Sequence, residues 1–312
     1  MKIKSFLSIT DLSSKEIWKL FEIATKLKKE IKQKEKNTEY LKNKTLGMIF
    51  EKPSLRTKVS FAVSMNQLGG HALYLGPNDI GMGKRESVHD VAKVASSMTD
   101  IIMARTFKHE TILDLAKYSS TPVINGLSDL EHPCQILADF FTILETKKKI
   151  KGLKIAYLGD SENNIPHSLA LASGILGAHF ITASPKEYWM KKEVVIRAKQ
   201  LAKKSGGSIS ETDNSIIAVN NADVIYTDTW ISMGDETEKE KRLQIFKNYQ
   251  VTEKLMKKAK VNAIFMHDLP AYRGNEVEAK VIDGYQSVVF QQAENRLHAQ
   301  KSLLLYLLEI SL

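Results

Sequence analysis

The sequence predicts an α/β protein made of two doubly wound parallel sheets, and three observations carry that reading. Short apolar runs, among them Thr45–Phe50, Lys154–Gly159 and Asp223–Thr227, alternate with amphipathic segments, as in a parallel sheet whose strands are joined by helical crossovers. The rhythm restarts after the charged stretch Lys147 to Gly152. With 312 residues, 43% of them hydrophobic, the chain is long enough for two domains with a core each. A boundary at the charged stretch divides it into 1–148 and 149–312.

Thr10-Asp11-Leu12-Ser13-Ser14 followed by Glu16 reads as an N-cap and first turn, and Ile17, Leu20, Phe21, Ala24 and Leu27 continue at helical spacing. Thr45 to Phe50 reads as a strand, and Val59 to Leu68 as a helix ended by Gly69-Gly70. A loop around Pro77 to Arg85, a helix from about Ser87 to Met98 and a strand at Asp100 to Ala104 follow. In the second half, strands are expected at Lys154–Gly159, Phe180–Ala183, Asp223–Thr227 and Ala263–Met266, with helices between.

Lys and Arg number 45 against 36 Asp and Glu, a net charge of +9 that suits anionic partners. Much of the excess lies in runs such as Lys147-Lys148-Lys149 without interleaved aromatic residues. These read as solvated surface rather than a base-stacking platform, so no nucleic-acid partner is expected. Cys134 is the only cysteine, which excludes an intrachain disulfide and a cysteine-based zinc site and fits a reducing compartment, the cytoplasm. The N-terminus lacks the features of a signal peptide, and Leu303 to Leu308 is too short to span a bilayer, so no membrane association is expected.

Ligands of such sheets bind past the carboxyl ends of strands. Past the strand ending at Phe50 stands Glu51-Lys52-Pro53-Ser54-Leu55-Arg56-Thr57-Lys58. Helix N-terminal amides, two hydroxyls and a guanidinium there can cradle a phosphate. A capped helix with surface charges is the plainer alternative. Arg105 follows the next strand, and His132-Pro133-Cys134-Gln135 follows Val123-Ile124 and a loop. Successive strand ends offering donors to an anion and a carbonyl fit transfer from an acyl phosphate. Gly159-Asp160-Ser161-Glu162-Asn163-Asn164 also follows a strand but lacks Gly-x-Gly-x-x-Gly, which disfavours a dinucleotide site.

Ser54-Leu55-Arg56-Thr57-Lys58 and His132-Pro133-Cys134-Gln135 resemble the Ser-x-Arg-Thr-Arg and His-Pro-x-Gln signatures of the aspartate/ornithine carbamoyltransferase family. Asp228-Thr229-Trp230-Ile231-Ser232-Met233-Gly234 is similar to the Asp-x-x-x-Ser-Met-Gly motif of its ornithine branch, and His267 to Gly274 and Glu294 to Gln300 resemble that branch's late motifs. The resemblance implies a carbamoyltransferase-like fold in which helices link the domains, and a C-terminal helix (about 293–312) that packs back on the first. It implies carbamoyl phosphate bound by Ser54, Leu55, Arg56, Thr57, Arg105, His132, Gln135 and Arg296. L-Ornithine is implied at Asn164, Asp228, Ser232, Met233, Asp268 and Leu269, with Asn163 a near neighbour of Asn164. Arg105, His132 and Asp268 are the implied catalytic groups. The reaction so implied yields citrulline and phosphate without a metal or organic cofactor, in a homotrimer whose domains close on the substrates. A different acceptor such as putrescine, or a diverged homologue of low activity, is the alternative.

The chain departs from the family pattern at several positions. Asp268 replaces the cysteine of His-Cys-Leu-Pro, Lys58 replaces the second Arg, and Leu55 replaces a common Thr. Gly81 stands where relatives often carry a Gln or His that reaches a neighbouring subunit's substrate, with Lys84 as a substitute donor. Lysine lacks the planar fork of arginine, so weaker carbamoyl-phosphate binding is expected. Asp268 is expected to act as a general base or amine ligand, with an alkaline pH optimum.

Overall fold

The computed structural model describes residues 5–83, 85–231 and 236–311. Their contacts divide the chain into two compact units, Met1–Phe141 with Glu294–Leu312, and Thr142–Ala293.

In the first unit, helix α1 (Ser14–Lys34) opens on a reciprocal cap in which Ser13 Oγ accepts the Glu16 N–H and the Glu16 carboxylate accepts the Ser13 N–H. Its apolar stripe, Ile17, Leu20, Phe21, Ala24 and Leu27, is buried. There follow β1 (Thr45–Phe50), α2 (Leu55–Gln67), β2 (His71–Leu75), α3 (Pro77–Ile80), α4 (Val88–Met98), β3 (Ile101–Arg105), α5 (His109–Tyr118), β4 (Val123–Leu127) and α6 (Pro133–Lys147). The four strands form a parallel sheet in the order β2-β1-β3-β4. β3 and β4 are buried along their whole length, and Ile49, Ile102 and Ala104 pack against Val91 and Ala92 of α4 and Ile112 and Leu115 of α5.

The second unit contains β5 (Lys154–Leu158), α7 (Asn164–Leu176), β6 (His179–Ala183), α8 (Lys192–Ser205), β7 (Ser208–Thr212), α9 (Ser215–Val219) and β8 (Val224–Thr227). It continues with α10 (Lys239–Phe246), α11 (Glu253–Met256), β9 (Ile264–Met266), α12 (Ala279–Ile282) and the first turn of α13 (Val289–Leu307), whose remainder belongs to the first unit. Its parallel sheet runs β7-β6-β5-β8-β9. The unit borders fall inside α6 and α13, so continuous helices link the units, and the first border lies at Phe141/Thr142 rather than in the charged stretch after Lys147. Among the described residues no helix is long and apolar enough to cross a membrane.

Individual elements also differ from the sequence reading. Helix α2 starts at Leu55, not Val59, because Ser54 caps it and accepts the Thr57 N–H. Arg105 is the last residue of β3 rather than the first beyond it. The edge strands β2 and β7 were not expected, since their exposed positions interrupt the apolar run that marks an inner strand.

Candidate active site

In the first unit, the carboxyl ends of β1 and β3 and the first turns of α2 and α6 carry the basic motifs. Register places Phe50 beside Arg105, and the Glu51 N–H donates to the Arg105 carbonyl at 2.9 Å, fixing the two strand ends together. Arg296, from α13, is 2% exposed and donates through Nη2 to Thr57 Oγ1 at 2.9 Å. The C-terminal helix is held there by further bonds: Ser64 Oγ to the Leu297 carbonyl, and Lys301 Nζ to Asn37 Oδ1 at 2.6 Å.

These groups share one electrostatic field. His132 is held well below its ordinary value by burial first, then by Arg296, Arg105, Arg56 and Lys52. A His so placed is neutral at pH 7 and acts as an N–H donor, not as an acid. Lys52, lowered by burial and by Arg105, stands 5.0 Å from the Phe107 ring centre. It was not anticipated from the sequence, though its place two residues past the strand end was a usable signal. Gln135 is fully buried, donates to Asp139 at 2.8 Å, and leaves its Oε1 without a hydrogen-bond partner among the described residues. Cys134 is pushed up to about 12 by burial and bonds the Asn125 carbonyl, which makes it inert.

Two motif side chains lie apart from this group. Leu55 is 74% exposed, so only its backbone can serve a ligand. Lys58 Nζ sits 3.8 Å above the Tyr74 ring centre and is not among the charges that act on His132. Gly81 ends α3 with φ 63°. Lys84, Ser232 and Met233 lie outside the described residues.

In the second unit, the ends of β5, β8 and β9 carry an acidic group. Asp228, just past β8, is raised well above the carboxylate range by burial and then by Asp268, with which it shares a hydrogen bond. His267 Nδ1 lies 3.4 Å from Asp268 Oδ1, and Nε2 lies 3.4 Å from Glu276 Oε1. Burial works against charge on this ring, but Asp268 and Glu276 raise it to about 9. The Leu269 N–H lies 2.9 Å from Nδ1 and can donate there only while that nitrogen is unprotonated. Asn163, which caps α7, points its amide toward Asp228 at 3.5 Å. Asn164 is the first residue of that helix. Tyr157 is raised well above its usual range by burial and by Asp228, Asp160 and Asp268. Glu276 and Tyr157 had no sequence signal, because they stand apart from any motif.

Asp228, His267 and Asp268 offer ligand atoms within 4.8 Å of one another, a spacing a metal ion tolerates. The same atoms already bond to one another and share protons, and one neutralised carboxylate beside a second fits a substrate ammonium as well as a metal. A cluster of cations around a neutral histidine in one unit, and carboxylates in the other, can hold an acyl phosphate and an amine.

Comparison with known proteins agrees. Residues 4–145 match the carbamoyl-P binding domain of aspartate/ornithine carbamoyltransferase, and residues 151–307 match its Asp/Orn binding domain. The chain is 53% identical to an ornithine carbamoyltransferase of Caldicellulosiruptor saccharolyticus, covering 97% of this chain and 98% of the relative. It is likewise 53% identical to that of Methanosarcina acetivorans, over 98% and 99%. The solved ornithine carbamoyltransferase of Pyrococcus furiosus superposes with a TM-score of 0.94 at 49% identity, covering 97% of this chain and 96% of that one. Two independent domain matches spanning nearly the whole chain, with relatives this similar over their full lengths, leave one conclusion: the chain belongs to the aspartate/ornithine carbamoyltransferase family.

Proposed function

We propose that the chain transfers the carbamoyl group of carbamoyl phosphate to the side-chain amine of L-ornithine, giving citrulline and phosphate. The observation that carries this reading is the field around His132, where Arg56, Arg105, Arg296 and Lys52 all act on one buried, neutral imidazole beside the open carbonyl of Gln135. An acyl phosphate offers a matching set of groups. Its phosphate takes the cations and the α2 N-terminal amides, its carbonyl oxygen takes the His132 N–H, and its amide N–H donates to Gln135 Oε1.

In the reaction the neutral amine attacks the carbamoyl carbon, forming the C–N bond. Charge then builds on the carbonyl oxygen, where the Arg105 guanidinium and His132 N–H stabilise it, and on the departing phosphate, which Ser54, Arg56, Thr57 and Arg296 receive. The bond from carbon to phosphate oxygen breaks, and the amine's extra proton must leave. Asp268 is the group we assign to take it, and Asp228 and Asn163 orient the amino-acid end. The same reading places the chain in a homotrimer, which light scattering after size-exclusion chromatography tests.

The activity is tested by incubating the protein with carbamoyl phosphate and a panel of L-ornithine, L-aspartate, L-lysine and putrescine. Citrulline and phosphate released one to one, with ornithine strongly preferred, is the expected result. No citrulline, or preference for another amine, overturns the reading.

A further inference from the structure

Arg242 of α10 is buried and ties together two turns that sequence and geometry connect with the acceptor. Its Nε donates to the Trp230 carbonyl at 2.7 Å, and its Nη2 pairs with the buried Asp160 carboxylate. The guanidinium carbon lies 5.3 Å from the Tyr188 ring centre and 5.6 Å from that of Phe246. Trp230 stacks on the same Phe246 with 6.0 Å between centres. The Glu238 carboxylate is 3.9 Å from Nη1.

Each end of this brace holds a functional turn. Asp160 lies in the turn after β5, where its Oδ1 accepts the Glu162 N–H at 2.9 Å and its carbonyl accepts the Tyr157 hydroxyl. That turn leads directly to Asn163 and the start of α7. Trp230 lies in the turn after β8 that begins with Asp228, and Gly159 passes so close beneath it that a Cβ there would meet Trp230 Nε1 at 3.1 Å. One planar fork therefore fixes the spacing between the segment bearing Asn163 and the segment bearing Asp228.

A buried ion pair is a poor device for stability, because desolvating two charges offsets much of their attraction, whereas its directional bonds define geometry. An apolar side chain on Tyr188 and Phe246 would fill the space as well but would leave both turns unbound. We infer that Arg242, acting with Asp160, is a positioning residue for the amino-acid acceptor, holding the Asn163 and Asp228 turns at the separation that receives ornithine. This rests on the proposed carbamoyl transfer to ornithine.

The test compares wild-type protein with Arg242→Met, Arg242→Lys and Asp160→Asn in steady-state citrulline formation, each substrate being varied in turn. In Arg242→Met the KM for ornithine rises about tenfold or more while kcat falls less than about threefold and the KM for carbamoyl phosphate stays within about twofold. Arg242→Lys keeps the charge but cannot reach both partners, so it recovers only part of the loss. A KM for ornithine that stays at the wild-type value, or both Michaelis constants rising together, overturns the inference. If circular dichroism shows Arg242→Met unfolded, Asp160→Asn decides by the same criteria, since it keeps the oxygen that accepts the Glu162 N–H but replaces the one that accepts from Arg242 by an NH2 group, breaking the pair. Wild-type protein that forms no citrulline defeats the functional reading itself, and this inference with it.

Discussion

Replacing Arg105 by methionine removes one cation while keeping much of the side chain's apolar stem. Arg105 ends β3, is only 9% exposed, and contributes to holding down both His132 and Lys52. A hydrogen bond from a charged group contributes about 1.5–3 kcal/mol. Losing a guanidinium placed to bond both the phosphate and the carbonyl oxygen therefore costs about 3–5 kcal/mol, or roughly two to four powers of ten in affinity. Titration calorimetry with a stable phosphonate analogue of carbamoyl phosphate reads that loss. The same substitution relieves the two neighbouring basic groups, so the His132 ring should titrate at a higher pH in the variant than in the wild type, as followed by NMR. Affinity within threefold of wild type, together with an unmoved His132 titration, would refute the idea that these residues form one phosphate-binding field.

Other expectations follow from single groups. Asp268→Asn should lower kcat near pH 7 by about 100-fold, within the range for a lost general base, and shift the pH–rate profile; full activity with the same profile removes Asp268 from the mechanism. Lys58→Arg, at a side chain that sits over Tyr74 apart from the basic group, should leave the Michaelis constant for carbamoyl phosphate within about twofold of wild type, as measured by initial rates. Gln135→Leu should weaken binding of the carbamoyl analogue by about 1–3 kcal/mol through loss of the open carbonyl, and calorimetry checks it. His298 is lowered from 6.5 to about 4 by burial and by the charges of Lys301 and Lys28, against a weaker upward pull from Glu294. Unfolding lets it bind a proton between those values, so its contribution is intact above pH 6.5 and is lost as pH falls through 4. The gap is worth about 3 kcal/mol, and urea denaturation at pH 7 and pH 4.5 should show that much less pH dependence in His298→Gln.

What the sequence disclosed follows from how its residues are buried. β3 is covered on both faces and so reads as an apolar run from Ile101 to Ala104, whereas β2 and β7 lie at sheet edges with polar or exposed positions and resemble loop. The start of α2 was displaced because Leu55 to Lys58 is a mostly polar first turn without apolar periodicity, although Ser54 is a recognisable cap. Arg56, Arg105 and His132 were visible as strand-end polar groups, but their number and roles came with the family motifs, since spacing along a chain does not report convergence in space. Arg296, far along the chain, depended on resemblance alone. Arg242 was hidden at the end of Glu238-Lys239-Glu240-Lys241-Arg242, a charged run that looks like solvated helix until the fold buries one of its faces. Asn163, the near neighbour of the Asn164 to which the motif pointed, turns its amide toward Asp228, a placement that only the geometry of a helix cap decides.

The central claim is that the first unit's basic groups hold an acyl phosphate while the second unit's carboxylates hold the amine that attacks it. A crystal structure with a stable analogue joining a phosphonoacetyl group to the ornithine side-chain amine tests this most directly. The account predicts phosphonate oxygens on Arg56, Arg105 and the α2 amides, the carbonyl oxygen on His132, and the amino-acid end at Asp228 and Asn163. Phosphonate bound away from Arg56, Arg105 and His132, or an amino-acid end that leaves Asp228 untouched, would contradict it.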